Sequence, residues 1–403
     1  LCLHMNLTFT IEELQKIFSY LIQYHDALRI SIDDQKRMYY NNHCLKEVFQ
    51  IDEYRMNAKE DFAYVLKDIT FHLSRKMSLQ VSPTLRVCLI TLPDKSQKLI
   101  IVVHHLSVDG VSWRILLEDL DQLIHQLKHE DILKLSGKMN SYQDWAAYVN
   151  NKKNKALCDE QNPLCFTKPH SSLFVKYSEQ NGGSHCLNLK IYELNQNVTK
   201  LLIGAANKRY DTKPDELLTA ALSLTIAKVM NVSDIIIELE RHGRDMDVDL
   251  DLTRTIGWFS SLCTIPIHIV DESIGKHINN IKESIKTISF NGVQYVNTGD
   301  GKHWKAESKW VKLNYLGAFI ESYDNFKIQA AEESFINNLY NDIWCPIEVN
   351  VIVATDIAKI AFRFDINIID KETSEKIANQ FIFDIEQIVC HCTDIINDLG
   401  ILG

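Results

Sequence analysis

Between Leu99 and Leu120 the sequence reads LIIVVHHLSVDGVSWRILLEDL, and its hydrophobic period changes once. The five apolar residues Leu99 to Val103 predict a buried strand. After Trp113, the residues Leu116, Leu117, Leu120, Leu123, Ile124 and Leu127 recur at helical spacing, so one helix face belongs to a core. Asp109-Gly110 turns the chain between the two. A strand that runs straight into such a helix needs a sheet with helices packed on it. The same alternation recurs along all 403 residues, which places the chain in the mixed α/β class and favours more than one domain.

Local signals set the other elements. Thr10 with Glu13 makes a capping box, Phe9 and Leu14 are spaced for a hydrophobic staple, and Ile11, Leu14, Ile17, Phe18, Leu21 and Ile22 mark one helical face. ALRISID and RMYYNN predict a hairpin, DFAYVLKDITFHLSRKM a helix, and TLRVCLITL and KLIIVVHH two strands. From Asn151 to Ser184 the pattern dissolves into a polar stretch with prolines and a Gly-Gly, read as a linker. Strand and helix patterns then resume, with Pro214 at a helix start where its missing N–H costs nothing. DIIIELE, LCTIPIHIV, IEVNVIVAT and KIAFRFDINII follow as strands, and SEKIANQFIFDIEQIVCHC as the last helix. The expected division is an N-terminal lobe at 1–165 and a C-terminal lobe at 166–403.

A net charge of −10 disfavours a nucleic-acid binder, since a phosphate backbone wants a basic surface. The basic-aromatic run KHWKAESKW, Lys302 to Trp310, is read as a solvated face. No apolar run approaches the roughly 20 residues of a membrane span, and LCLHMNLTF has no signal-peptide pattern. A chain that begins at Leu1 reads as a piece of a longer polypeptide or a trimmed product. The ten cysteines are scattered without a Cys-x-x-Cys pair, and Cys390-His391-Cys392 has no second ligand pair at metal spacing. No metal is expected, and reduced thiols point to the cytoplasm.

Neighbours in a strand face opposite ways, so only one of the adjacent His104 and His105 reaches a given site. His105 shares the parity of Ile101 and Val103; His104 is expected to be held by packing or hydrogen bonding. A strand end that turns into a helix is a common seat for catalytic groups in α/β proteins.

His-His-x-x-x-Asp-Gly over His104 to Gly110 resembles the signature of the condensation superfamily of nonribosomal peptide synthetases, and DGVSWRILLEDL resembles its epimerization branch. Further segments match in order: YHDALRI (Tyr24 to Ile30), SYQDWAAYV (Ser141 to Val149), IIIELERHGRD (Ile235 to Asp245), TRTIGWFSSL (Thr253 to Leu262) and LNYLGAF (Leu313 to Phe319). The resemblance covers nearly the whole chain; the family's opening segment is missing. It implies two chloramphenicol-acetyltransferase-like lobes forming a V around a central tunnel. It further implies epimerization at Cα of an aminoacyl or peptidyl thioester on a phosphopantetheine arm. The substrate would arrive on a peptidyl carrier protein beside adenylation and condensation domains, with no cofactor of the domain's own.

By residue-for-residue transfer, His105 and Glu240 are the two acid/base groups. Asn314 and Tyr315 are polar groups around the enolate. His104, Asp109, Gly110 and Arg244 are structural, the family pairing Asp109 with Arg244. Arg241 stands where the family has glycine and is expected to crowd the site or to pair with Glu240 and lower its pKa. His242 is read as a loop histidine, Trp113, Trp258 and Phe259 as packing, and Tyr323-Asp324-Asn325 as a surface turn. The competing readings are a peptide-bond-forming condensation domain using the same His105, and a catalytically impaired docking relative.

Overall fold

The structure is a computed structural model that describes residues 1–81, 83–130, 132–137, 140–156, 187–244, 250–269, 273–286, 311–320, 322–329 and 345–393. The run Lys302 to Trp310 lies outside the described residues, as does most of the expected linker. In chain order the first strands and helices are β1 (Cys2–Met5), α1 (Ile11–Tyr24), β2 (Ile30–Ile32), β3 (Met38–Tyr40), β4 (Asp52–Arg55), α2 (Phe62–Arg75), β5 (Leu85–Thr91), β6 (Gln97–Val103), α3 (Gly110–His129) and α4 (Tyr142–Ala156). Then come β7 (Leu187–Glu193), α5 (Gln196–Ile203), α6 (Pro214–Met230), β8 (Asp234–Arg241), β9 (Ser261–His268) and α7 (Ile274–Lys286). The last are β10 (Val311–Phe319), β11 (Phe326–Gln329), β12 (Ile347–Ala354), β13 (Ile357–Asp365) and α8 (Lys371–Thr393).

The chain forms two compact units. One comprises Leu1–Asn151, Asp247–Phe259 and Ile320–Phe335; the other comprises Lys152–Met246, Ser260–Phe319 and Ile336–Gly403. This differs from a single cut at 165/166, which itself falls outside the described residues. The physical reason is backbone pairing. In the first sheet, ordered β11-β1-β6-β5-β4, β1 would be an open edge, and β11 covers it with the antiparallel register Cys2↔Gln329 to Met5↔Phe326. Tyr323, Asp324 and Asn325 are therefore more than a surface turn. Asn325 is buried, and its Nδ2 donates to the Asp121 carbonyl at 3.1 Å and to Asp121 Oδ1 at 3.0 Å. Helices α1 and α3 cover one face of this sheet with Leu14, Phe18, Leu21, Leu116, Leu120 and Leu123; α2 covers the other with Val65, Ile69 and Leu73.

The expected start signals are present. Thr10 N–H donates to Glu13 Oε2 at 2.8 Å while Glu13 N–H donates to Thr10 Oγ1 at 3.2 Å, closing the capping box of α1. Pro214 opens α6.

The second unit is built on a six-stranded sheet, β7-β13-β12-β10-β8-β9. Strands β8, β10 and β12 are parallel neighbours, and the other pairs are antiparallel. One face carries Ile237, Leu239, Val311, Leu313, Val349, Val351, Phe362 and Phe364 against α5, α6, α7 and α8. The opposite parity carries Glu238, Glu240, Lys312, Asn314, Glu348, Asn350 and Arg363, in register across β8, β10, β12 and β13. A buried sheet face this polar must satisfy itself internally, and Arg363 Nη1 pairs with Glu348 Oε2 at 2.8 Å.

Candidate active site

In the first unit, strand β6 stops at Val103, and the chain enters a single 3₁₀ turn, His105–Ser107. Strand parity therefore ends before His105, which corrects the argument that grouped it with Ile101 and Val103. His104 caps the turn: its Nδ1 accepts from Leu106 N–H at 3.2 Å. Its backbone N–H donates to Thr84 O at 2.9 Å, and Thr84 Oγ1 meets Ser107 Oγ at 2.6 Å. His105 is exposed.

Burial, and secondarily the neighbouring His105, hold the His104 pKa below its ordinary 6.5. The unfolded chain thus binds the extra proton more readily than the folded one. The contribution of His104 to stability is present above pH 6.5 and is lost as pH falls below it. Denaturant titrations at pH 7.5 and 5.5 should show a smaller loss on acidification for His104→Asn, whose Oδ1 can replace the capping acceptor. An unchanged loss would remove His104 from the acid response.

Asp109 is 3% exposed and caps α3, which begins at Gly110. Its Oδ1 accepts from Ser112 N–H at 2.8 Å and its Oδ2 from Phe259 N–H at 3.1 Å. Ser112 Oγ donates to Gly257 O at 2.8 Å and accepts from Gly257 N–H at 3.0 Å. Tyr142 donates its hydroxyl to Trp258 O at 2.9 Å. Gly257 has to be glycine, because a Cβ there would lie 2.3 Å from the Tyr142 ring. Phe259 is fully buried, with the Tyr142 and Trp145 rings each at 5.0 Å, so it packs as expected. Trp258 does not; it is 42% exposed, and its ring centroid lies 5.0 Å from that of His105. No local signal in the sequence places Trp258 beside His105.

In the second unit, β8 and β10 run parallel with Glu240 directly opposite Asn314. Both lie on the polar parity of the sheet, and Glu240 is half-buried. Lys312 Nζ sits 3.1 Å from Glu240 Oε2. Burial opposes the charge of this lysine, yet the carboxylates of Glu240, Glu348 and Glu238 raise its pKa above the usual value. Lys312 was missed by the reading of motifs, although strand alternation puts it on the face of Asn314. Tyr315 is corrected. It shares a register position with Val351 and packs on the helix-covered core, on the opposite face from Glu240 and Asn314. Burial, then Asp215, push its phenol up to about 12, so it stays protonated at neutral pH. Beyond it the register slips by one residue between Tyr315 and Ala318, and Gly317 takes φ +83°, a bulge after which pairing resumes at Ala318↔Val353.

Arg241 is corrected as well. Strand β8 continues through it, so it faces away from Glu240, is 8% exposed, and lies with Nη2 3.7 Å from Asp215 Oδ2. Arg241→Gly is therefore expected to change turnover less than about threefold while lowering the unfolding midpoint, since a buried ion-pair partner is lost. A tenfold faster variant would mean that Arg241 acts on Glu240 after all. His242 is a loop histidine whose Nδ1 accepts from Arg244 N–H at 3.3 Å, and Gly243 adopts φ +64°. Asp109 thus belongs to the first unit and Arg244 to the second.

Among the described residues no group of three or more His, Cys, Asp or Glu could hold a metal ion, and no helix is long and apolar enough to cross a membrane. His391 Nε2, in the Cys-His-Cys run, lies 2.8 Å from the Tyr210 hydroxyl. The described cysteines carry free thiols.

The parts in hand are an exposed imidazole against an indole, and a half-buried carboxylate beside a primary amide and an ammonium. The first offers ring nitrogens for proton transfer; the second combines a proton acceptor with an N–H donor.

A family model described as Condensation domain matches residues 1–403. Bacitracin synthase 2 of Bacillus licheniformis is 26% identical over 400 residues, covering 94% of this chain and 15% of that protein. The chain therefore spans a small part of the length of this relative. Among solved structures, the epimerization domain from the third module of tyrocidine synthetase B superposes with a TM-score of 0.81 at 22% identity, covering 98% of this chain and 92% of the other. The first condensation domain of the CDA synthetase superposes with a TM-score of 0.63 at 11% identity, covering 97% and 90%. At these identities the superpositions establish the shared fold.

Proposed function

The chain belongs to the condensation domain family, and on that premise we propose that it epimerizes the Cα of an aminoacyl or peptidyl thioester, L to D, in nonribosomal peptide synthesis. The observation that carries this reading is Glu240 on the polar sheet face with Asn314 opposite it in register. Joining an amine to a thioester has no need of a second proton-transfer group beside an amide donor; inverting a carbon does. One of His105 and Glu240 takes the Cα proton, and the electron pair moves into the thioester carbonyl to give an enolate. The other returns a proton to the opposite side of Cα. The Asn314 amide N–H is the donor for the enolate oxygen, where charge develops. Lys312 keeps Glu240 from lying uncompensated on a half-buried face.

The likeness to a domain whose name states epimerization supports the same choice. The substrate is delivered on the phosphopantetheine arm of a peptidyl carrier protein, and adenylation and condensation domains adjoin this one. A relative that is a synthase, of which this chain spans 15%, supports that setting. The chain needs no cofactor of its own for this chemistry and would work in the cytoplasm.

The family itself and the likeness to a condensation domain support a second reading, peptide-bond formation with His105 as base. One assay separates the two. A carrier protein loaded with an L-aminoacyl or peptidyl thioester is incubated with the chain in deuterated water, and the released acid is analysed for label and chirality. Label at Cα with accumulation of the D form supports epimerization. Absence of label, with product formed only when an amine acceptor is added, would establish condensation instead.

A further inference from the structure

Trp258 stands out because its backbone is held tightly while its side chain is 42% exposed. Ser112 clasps both backbone polar groups of Gly257, Tyr142 binds the Trp258 carbonyl, and Asp109 binds the Phe259 N–H. Phe259 beside it is fully buried, so the segment is anchored from below. The indole then meets the imidazole of His105 with ring centroids 5.0 Å apart and planes inclined by 62°.

We propose that Trp258 is a positioning residue for His105, and that Asp109 acts on the site by holding the segment that carries this indole. The proposal rests on the reading of His105 as an acid/base group. A surface histidine at the start of a 3₁₀ turn samples several rotamers, and proton transfer needs its ring nitrogen within hydrogen-bond reach of the reacting carbon. An indole wall at van der Waals distance removes some of those rotamers before substrate arrives, which is where positioning gains its rate. The buried Asp109 carboxylate serves both ends of this device. One oxygen starts the helix that follows the histidine turn; the other fixes the backbone of the indole.

The contact can be read without turnover, because the fluorescence of an indole responds to the ring packed against it. The chain has six tryptophans, so the difference between the parent and Trp258→Phe isolates this one. That difference signal should change in His105→Ala, which removes the ring packed against the indole. A smaller change should follow in Asp109→Asn, which keeps an acceptor for Ser112 but turns an NH₂ donor toward the Phe259 N–H. In the labelled-water assay, Trp258→Ala should lower kcat about tenfold with KM within about threefold, and Trp258→Phe should restore most of the rate. Thermal unfolding of each variant confirms that the fold is kept.

A difference signal that His105→Ala leaves unchanged would overturn the positioning role. So would Trp258→Ala turning over at the parent rate while His105→Ala has lost exchange, and the acid/base reading would then stand. Exchange persisting in His105→Ala would overturn that reading and the positioning role with it. The fluorescence result shows which of the two has failed.

Discussion

His105→Ala is expected to lower exchange of the Cα hydrogen into deuterated water by about 10²- to 10⁴-fold, the range over which a positioned acid or base accelerates proton transfer. The fold should survive, because the side chain is exposed and its turn is held by His104, Thr84 and Ser107. Glu240→Gln should give a loss of the same order. The amide keeps the shape and can still hydrogen-bond, but it cannot take a proton, and it leaves Lys312 without its nearest carboxylate. The two losses should not add, since inversion needs both groups and either deletion already stops it. If Glu240→Gln exchanges at the parent rate while His105→Ala does not, Glu240 is not the second acid/base group. Peptide-bond condensation then becomes the better account of His105.

The largest effect on stability is expected at Asp119 rather than in the candidate site. This carboxylate is 2% exposed on α3. One oxygen meets His25 Nε2 at 2.8 Å, and the other is bound by Arg254, which also reaches Glu118. His25 is itself 1% exposed, at the end of α1. Asp119→Ala removes one member and leaves its partners without the group they were desolvated against. Loss of one partner from a buried ionic network destabilises by about 3–5 kcal/mol. Urea unfolding should show the midpoint fall with little change in slope, and a second substitution, His25→Ala, should add much less than it costs alone. Fully additive losses would mean that His25 and Asp119 do not depend on each other. The network also gives physical content to two of the matched motifs. YHDALRI supplies His25, and TRTIGWFSSL supplies Arg254, so the two segments meet on α3.

Local signals were legible without coordinates. The capping box at Thr10, the proline that opens α6, the strand before His104 and the helix after Asp109 depend on neighbours a few residues away. A single chain of letters displays such neighbours. The resemblance of the motifs to the condensation superfamily also singled out His105, Glu240 and Asn314, by transfer position for position. What the sequence did not decide is everything that depends on which backbone a strand or segment pairs with. Parity could not be carried from β6 to His105, because the strand ends at Val103. It could be carried through β8, which separates Arg241 from Glu240, only once the strand was seen to continue to residue 241. Tyr315 and Asn314 are adjacent letters, and the register against β8 and β12 sends one to the core and the other to the polar face. Trp258 reaches His105 because Asp109 and Ser112 bind the backbone of a segment far along the chain. Hydrophobic period and capping are short-range and written residue by residue. Register, edge pairing and the return of later segments to the first unit are settled by hydrogen bonds to distant backbone groups, where every residue offers the same N–H and C=O and only the assembled fold selects the partner.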